Sequence, residues 1–458
     1  MSVLDVAIRA RESSNLLQIV EASQRSAALQ RIKQILSAQK NKILEANELD
    51  MKFAKKQVEA GNLSESLYKR LDIKGNNDEK FDTMLKGIDE VDALEDPVGK
   101  ITLSRKLDEG LSLYKVTCPV GVLLVIFEAR PEVVVNISCL AIKSGNAAIL
   151  KGGKEASHTN RILASLISEA VDPQTSGYGL TIPLSPEFPI NTIQLVETRE
   201  SIHELLKLDR YIDMAIPRGS NDLVRYVQNN TRIPVLGHAD GLCSIFLDES
   251  CDLDKAIHIV VDAKTDYPAA CNSVETCLVH EKCLDRVFPK VAQNLLEHGV
   301  KLHLDKHSKH SLHNSDIDFH KYKDLIVDAT AEDYKTEYNS LDLAVKVVSS
   351  INEAISHIGE YGSKHTDCIV TENKENAELF MKILDSAGVF WNASTRFADG
   401  FRYGFGAEVG VSTNKTHARG PVGLEGLTIY KYKLIGNGQG AGDYGLAAGK
   451  KSYLHQDF

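Results

Sequence analysis

The N-terminal part of the chain carries apolar residues at helical spacing. Leu29, Ile32, Leu36 and Ile43 follow one another at intervals of three, four and seven residues, with polar positions between them. This pattern is typical of amphipathic helices that bury one face. We therefore expect residues from about 2 to 57 to be helical.

Further along, short apolar runs alternate with helical segments. Residues 120–127 form a continuous apolar run of strand length; Pro131 suits the first turn of a helix, and Gly145-Asn146 suits its end. Such β–α–β alternation predicts a parallel sheet with right-handed crossovers. The other strands predicted in this half are residues 147–150, 193–196, 211–216 and 242–247.

From about residue 251 the alternation restarts. It predicts a strand at 276–280, a helix at 284–298 and a strand at 301–304. The simplest division is therefore two α/β domains, residues 1–250 and 251–426. Four prolines between residues 173 and 189 indicate a surface loop, and the glycine-rich residues 436–458 indicate a C-terminal tail.

Composition narrows the class of protein. The 458 residues include 53 Lys and Arg against 63 Asp and Glu, a formal charge of −10, so the basic footprint of a nucleic-acid or anionic-membrane surface is absent. The longest apolar stretch, residues 116–127, is shorter than the roughly 20 residues of a membrane helix. Eight scattered cysteines without C-x-x-C or zinc-type spacing predict a reduced, cytoplasmic protein and no metal site.

A basic loop follows the second predicted strand. Lys151 and Lys154 flank two glycines at the carboxyl edge of a parallel strand, where open α/β sheets bind ligands. The two cations suit the ribose and phosphate of a nucleotide, and a solvated loop is the alternative. Gly219-Ser220 lies where a strand meets a helix, and free N–H groups at a helix start attract phosphate. A plain N-cap serine explains that pair equally well.

A second glycine motif carries no such expectation. Gly440, Gly442 and Gly445 match G-x-G-x-x-G, but the chain ends 13 residues after Gly445. The motif needs a following helix and an acidic residue about 20 positions on. We therefore exclude a nucleotide site there.

Cys271 is the candidate nucleophile. It lies between Pro268-Ala269-Ala270 and Asn272-Ser273, which leaves space and hydrogen-bond donors around a reactive thiolate. A buried structural cysteine is the alternative, and Cys277, inside an apolar strand, fits that description better. His238 could act as an acid or base or could be a hydrogen-bonded structural residue.

These segments resemble the aldehyde dehydrogenase superfamily, and within it the family of γ-glutamyl phosphate reductases. The likeness runs from about residue 5 to 435. The segments that carry it are PVGVLLVIFEARPEV from Pro119, AIKSGNAAILKGGKE from Ala141, YIDMAIPRGS from Tyr211, CNSVET from Cys271, NASTRFADGFRYGFGAEVGVST from Asn392 and HARGPVG from His417.

The resemblance implies a fold and several site residues. The fold would comprise two Rossmann-like three-layer α/β domains with parallel sheets and a small β oligomerisation arm at 104–117 and about 427–435. Cys271 would be the nucleophile of the second domain. The first would bind NADP(H), with Lys151, Gly219 and Ser220 in the cofactor site. The basic loop adds Lys154 as a candidate for the same site.

The chain departs from hydrolytic members of the superfamily at two positions. Val235 stands where those enzymes carry a glutamate, which fits a reductase that must not hydrolyse its thioester. Arg130 stands at the place of their oxyanion-binding asparagine. The identity of the oxyanion donors therefore stays open. The candidates are the backbone N–H of Cys271 and, as a second donor, either Arg130 or Asn272.

The implied reaction is the reduction of L-glutamyl 5-phosphate by NADPH to L-glutamate 5-semialdehyde and phosphate through a Cys271 thioester, the second step of proline synthesis from glutamate. Arg130, Arg396 and Arg402, with Ser394, are candidates for holding the substrate's phosphate and carboxylate, and structural salt bridges are the alternative. Two other functions are an acylating dehydrogenase that uses coenzyme A and a scaffold that has lost catalysis. The resemblance implies a homodimer or larger homo-oligomer and leaves contact with glutamate 5-kinase open.

Overall fold

A computed structural model describes residues 2–197 and 200–458 of the chain. The chain divides into two compact units. The first comprises Met1–Leu236, Phe405–Gly410 and Val422–Phe458, and the second comprises Gly237–Gly404 and Val411–Pro421. Within the described ranges, the helices are all too short or too polar to cross a membrane.

The predicted N-terminal helices are present. Leu29, Ile32 and Leu36 are fully buried, so the apolar face read from the sequence is the face that packs. Ser2 begins the first helix with a reciprocal capping box to Asp5. The α-helices of the first unit are α1 (Val3–Leu17), α2 (Ala22–Ala38), α3 (Lys40–Glu59), α4 (Glu65–Leu71), α5 (Glu79–Ala93), α6 (Val133–Lys143), α7 (Ser157–Val171), α8 (Glu200–Leu205) and α9 (Asn221–Asn230).

The first unit contains a parallel sheet and strands of a separate antiparallel sheet. Its strands are β1 (Ile101–Asp108), β2 (Leu111–Pro119), β3 (Val122–Phe127), β4 (Ala147–Gly152), β5 (Ile193–Leu195) and β6 (Met214–Arg218). Strands β1 and β2 belong to the antiparallel sheet. The parallel sheet has the order β5-β4-β3-β6. Every residue of β3 is buried, as expected of an internal parallel strand.

The last strand of this sheet begins and ends later than predicted. Tyr211 belongs to a turn, in which its N–H donates to Leu208, and the strand continues through Pro217 to Arg218. Proline is accepted there because β6 lies at the edge of the sheet, where one side of the strand needs no ladder hydrogen bond.

The second unit is built on one parallel sheet of order β10-β9-β11-β8-β7-β12-β13. Because β7 pairs with β8 and β12, it belongs to this unit, and the boundary lies at Leu236/Gly237 instead of residue 250. Its strands are β7 (Cys243–Leu247), β8 (Val274–His280), β9 (Lys301–Leu304), β10 (Ile326–Asp328), β11 (Asp342–Val348), β12 (Thr366–Val370) and β13 (Gly388–Trp391).

Helices cover both faces of that sheet, and two apolar clusters form its core. The predicted helix at 284–298 begins later, at Phe288, because Leu284–Val287 form turns and Pro289 sets the first helical turn. The helices of the second unit are α10 (Leu253–Thr265), α11 (Phe288–Glu297), α12 (Lys306–His313), α13 (Ile351–Tyr361) and α14 (Lys374–Ile383).

The C-terminal strands complete the fold. Strands β14 (Gly410–Ser412) and β15 (Gly420–Val422) form a short ladder, and β16 (Thr428–Ile435) and β17 (Gln456–Asp457) join β2 and β1 in an antiparallel sheet of order β16-β2-β1-β17. The predicted tail is thus ordered in the first unit. Arg105 pairs with Asp457, and the hydroxyl of Tyr444, inside the G-x-G-x-x-G segment, donates to Asp108.

Candidate active site

Three side chains converge at the amino edge of the second unit's sheet. Each lies on the loop that enters one of three adjacent strands: His238 before β7, Cys271 before β8 and His365 before β12. Their sulfur and ring nitrogen atoms lie within 4.8 Å of one another. Because parallel strands start at the same edge, the topology unites residues that are far apart in sequence.

The two imidazoles favour the thiolate form of Cys271. Burial opposes a charged sulfur, but His365 and His238, through charge and hydrogen bonding, outweigh it and hold the pKa of Cys271 well below its usual range. Cys277 lies inside β8, and burial alone raises its pKa to about 12. The opposite pKa shifts agree with the prediction that Cys271 is the candidate nucleophile and Cys277 the structural cysteine.

A hydrogen bond orients the imidazole of His238 on the side that faces away from Cys271. Its Nδ1 lies 2.9 Å from the carbonyl oxygen of Val411, which makes Nδ1 the protonated nitrogen and leaves Nε2 available. Burial lowers the pKa of His238, whereas the nearby Cys271 thiolate and the Val411 carbonyl raise it, with the net result of about 9. His238 is thus hydrogen-bonded, as the structural alternative expects, and it also lies beside Cys271; its part as an acid or base stays a prediction.

His365 is fully buried. Its Nδ1 lies 3.0 Å from the hydroxyl of Thr366 and 3.7 Å from the sulfur of Cys243. Its Nε2 is buried and makes no hydrogen bond of normal geometry, although the ring is near enough to Cys271 to lower the thiol's pKa. The two rings of His238 and His365 meet edge to face, with centroids 4.8 Å apart.

The side chain of Asn272 makes structural hydrogen bonds next to Cys271. Its side-chain amide donates to the carbonyl of Ala398 at 2.9 Å, and its carbonyl accepts from the guanidinium of Arg396. Thr395 in turn donates to the backbone carbonyl of Asn272. Because the amide N–H groups are directed at backbone carbonyls, this side chain joins the Cys271 loop to the 394–398 turn and is not directed at an oxyanion.

The predicted substrate residues gather beside that turn. Asp266 accepts from Arg396 at 3.1 Å and from Arg402 at 2.9 Å. The hydrogen bond from the Arg402 side chain is the strongest of the interactions that hold the pKa of Asp266 below its usual range. Ser394 is buried and accepts from the backbone N–H of Arg396. One carboxylate between two guanidinium groups leaves a net positive charge.

In the first unit, the carboxyl edge of the parallel sheet brings the predicted cofactor residues together. Lys151 is buried in β4 and donates to the carbonyl of Gly152, whereas Lys154 is exposed. Ser220 caps α9 through the N–H of Leu223. Its own N–H donates to the carboxylate of Glu128 at 2.9 Å. The start of α9 thus holds an anionic oxygen, as a helix start can, and here that oxygen belongs to Glu128; a cofactor phosphate at this place stays a prediction.

Arg130 lies in the first unit, three residues after β3, and its guanidinium is 4.0 Å from the carboxylate of Glu132. Its part in oxyanion binding stays a prediction.

Comparison with known proteins identifies the family. Residues 3–342 match the model of the aldehyde dehydrogenase family. The chain is 52% identical over 462 residues to the γ-glutamyl phosphate reductase of Saccharomyces cerevisiae, covering 99% of this chain and 97% of that protein. It is 48% identical to that of Acetivibrio thermocellus over 99% and 98% of the two chains. The chain belongs to the γ-glutamyl phosphate reductase family.

A solved structure agrees with this assignment. The γ-glutamyl phosphate reductase of Thermotoga maritima is 37% identical, with a TM-score of 0.84 over 96% of this chain and 99% of that chain. The predicted family and its aldehyde dehydrogenase-like fold are therefore confirmed. Members of the γ-glutamyl phosphate reductase family are oxidoreductases, and this class of enzyme implies a nicotinamide cofactor.

Two residues of the candidate active site were not predicted from the sequence. His365 sits in SKHTDC, where the sequence carries no motif, and Asp266 lies five positions before Cys271. A carboxylate so near a candidate nucleophile was a usable signal. His365 gave none, because only the sheet order brings it to Cys271.

Proposed function

We propose that this chain reduces L-glutamyl 5-phosphate with NADPH to L-glutamate 5-semialdehyde and phosphate, the second step of proline synthesis from glutamate. The observation that carries the proposal is Cys271, a thiol whose pKa is lowered by two imidazoles, in a chain of the γ-glutamyl phosphate reductase family. A thiolate at neutral pH is the nucleophile that an acyl phosphate requires.

Cys271 carries the covalent chemistry. Its sulfur attacks the acyl carbon, the C–O bond to phosphate breaks, and a thioester forms on Cys271 while phosphate leaves with the electron pair. The dinucleotide, when bound, supplies the hydride. The sulfur is expelled as a thiolate when the aldehyde is released, and His238 and His365 stabilise that anion again. Proximity of the imidazoles therefore favours both the first and the last step.

Oxyanion stabilisation falls to a backbone donor. The amide of Asn272 is directed at the carbonyls of Ala398 and Arg396, so the backbone N–H of Cys271 is the better candidate on its own loop. We infer that Asn272 is a positioning residue: it fixes the 394–398 turn against the nucleophile. Arg130 is the further candidate donor.

Arg402 and Arg396 differ in how they serve the substrate. Arg396 is almost fully buried and is bonded to Asp266 and Asn272. Arg402 is partly exposed and shares Asp266. We infer that Arg402 binds an anionic group of the substrate, since a guanidinium can bind carboxylate or phosphate with two parallel bonds. We infer that Arg396, with Ser394, stabilises the turn that positions Arg402.

The cofactor proposal is specific to the phosphorylated dinucleotide. Lys151 and Lys154 would meet the ribose and its 2′-phosphate, and Gly219-Ser220 the diphosphate at the start of α9. A Cβ at Gly219 would lie 2.4 Å from the Glu128 carboxylate and 2.9 Å from Leu223, so a side chain there would have to displace the ends of both.

Two further parts of the proposal concern location and assembly. The eight cysteines are thiols, which is typical of the reducing cytoplasm.

We infer that the edge strand β16 is an oligomer contact, because its apolar side chains are 41–60% exposed and such an edge pairs readily with another chain. The exposed side chains are Ile429, Tyr430, Tyr432, Leu434 and Ile435.

The reverse reaction tests the function. With glutamate 5-semialdehyde and NADP⁺ but no phosphate, we expect about one NADPH per active site and then a stall, because Val235 cannot act as the base that hydrolytic relatives use. Loss of a general base costs about 10²–10⁴-fold in rate. Added phosphate should restore turnover, whereas added coenzyme A should not.

Three outcomes would contradict this scheme. Turnover restored by coenzyme A and not by phosphate would favour an acylating dehydrogenase. Steady NADPH production without either acceptor would mean that water reaches the thioester, and His238 would then be the first residue to replace. Absence of any burst with intact, dinucleotide-binding protein would favour a scaffold.

A further inference from the structure

The Cys271 cluster has the composition of a metal site. Cys271, His238 and His365 offer one sulfur and two ring nitrogens within 4.8 Å of one another. The spacing of these residues does not indicate a metal site, because the three ligands are separated by 33 and 94 residues and match no zinc spacing. The ligands meet only because β8, β7 and β12 are neighbours in the sheet.

The distances suit a small tetrahedral ion. Zinc binds sulfur at about 2.3 Å and imidazole nitrogen at about 2.0–2.1 Å, so its ligand atoms lie about 3.3–3.6 Å from one another. The three side chains must therefore draw together by little more than about 1 Å. Three protein ligands and one open position is the arrangement of many protein zinc sites.

The surroundings already orient the imidazoles. The carbonyl of Val411 accepts from Nδ1 of His238 at 2.9 Å, the outer-sphere bond that fixes a ligating histidine. Nδ1 of His365 lies against Thr366. Nε2 of His365 is fully buried and makes no hydrogen bond of normal geometry, and a buried polar atom left in that state is costly. This orphaned nitrogen is an observation independent of the cluster's composition.

We propose that this cluster is an inhibitory binding site for Zn²⁺, held by the sulfur of Cys271 and by one ring nitrogen each of His238 and His365. The ion takes the electron pair that the sulfur needs for attack on an acyl carbon. Zinc bound here blocks the nucleophile and leaves the fold unchanged. A chelator that removes the ion restores the thiolate, so the inhibition is reversible.

Direct binding tests the proposal without relying on activity. Purified full-length protein is dialysed against Zn²⁺ and its metal content measured, and Co²⁺ is then used as the spectroscopic probe. We expect about one ion per chain, a thiolate-to-cobalt charge-transfer band, and loss of both in Cys271→Ser. His365→Gln should lower the affinity by more than the about 10–100-fold that loss of an outer-sphere partner costs.

Two controls make the outcome decisive. Cys277→Ser removes a buried thiol of β8 and should bind the ion as the parent does. The exposed His307, His310 and His313 of α12 are the alternative ligands, and His310→Gln should leave the charge-transfer band unchanged. Zinc retained by folded Cys271→Ser, or a cobalt spectrum without a thiolate band, would overturn the proposal. Thermal melting of each variant checks that it is folded.

Discussion

Gly241 approaches Cys271 so closely that a side chain at position 241 has no room. A Cβ built there would lie 2.2 Å from the carbonyl oxygen of Cys271 and 2.7 Å from its Cα. The loop that carries His238 therefore contacts the backbone of Cys271 directly. Only glycine allows this contact, which fixes the imidazole relative to the sulfur.

Gly241→Ala should therefore lower the rate sharply. The methyl group must displace either the His238 loop or the Cys271 backbone, and a misplacement of about 1 Å can cost about 10²-fold in rate. We expect a fall of that order in the reverse reaction, measured with phosphate present, and a slower alkylation of Cys271.

Gly359→Ala is the matched control. This glycine lies inside α13, and a Cβ there would meet nothing within 4 Å. Alanine is the better helix former by about 1 kcal/mol, so the melting temperature should hold or rise and the rate should not change. Equal losses from the two substitutions would contradict a special contact at Gly241.

The pH dependence of Cys271 alkylation follows from its lowered pKa. Below the pKa of an ordinary thiol, the alkylation rate rises about tenfold per pH unit because the thiolate fraction does. The pKa of Cys271 lies well below that range, so its rate with iodoacetamide should be nearly constant across neutral pH and fall only in acid, where the thiolate gains a proton.

His365→Gln should shift this profile upward in pH. Removing the imidazole removes the largest of the influences that lower the pKa of Cys271, so the neutral-pH rate should drop and regain a steep pH dependence. Mass spectrometry of the alkylated peptide supplies the rate at this one cysteine. An unchanged profile in the folded variant would mean that His238 alone sustains the thiolate.

The two arginines should separate binding from structure. Arg402→Ala should raise the KM for the semialdehyde about 10- to 100-fold, as expected for loss of one charge-assisted contact of about 1.5–3 kcal/mol, and should leave the melting temperature nearly unchanged. Arg396→Ala should instead lower the melting temperature, since it removes the donor to the buried side-chain carbonyl of Asn272 and leaves Asp266 with Arg402 alone. If Arg402→Ala left KM untouched, the guanidinium would be structural.

Lys154→Ala should weaken NADPH more than NADH. Its exposed ammonium group suits the 2′-phosphate, which NADH lacks, and the loss should again be about 10- to 100-fold for NADPH. Lys151→Ala should affect both cofactors and the stability of β4, because Lys151 is buried within it. Fluorescence titration with both dinucleotides measures this. Equal losses for NADH and NADPH in Lys154→Ala would refute a phosphate-reading role.

The sequence by itself determined most of the elements and the fold class, and it singled out Cys271 as a candidate nucleophile. Apolar periodicity located the N-terminal helices, because burial of one face demands it, and β3 and β9 were predicted within two residues. The setting of Cys271 between small and polar residues singled out the thiol. These features are local: they depend on neighbours within a few positions of the chain.

The tertiary structure decided which residues share a site. His238 and His365 reach Cys271 only because β7 lies between β8 and β12, and no spacing along the chain encodes that order. The same order moved β7 into the second unit. Asn272 looked like an oxyanion donor, and only its contacts with Arg396 and Ala398 show that its hydrogen bonds are already made. A side chain's chemical role depends on which of its polar atoms the fold leaves available, and that is settled by contacts between distant segments.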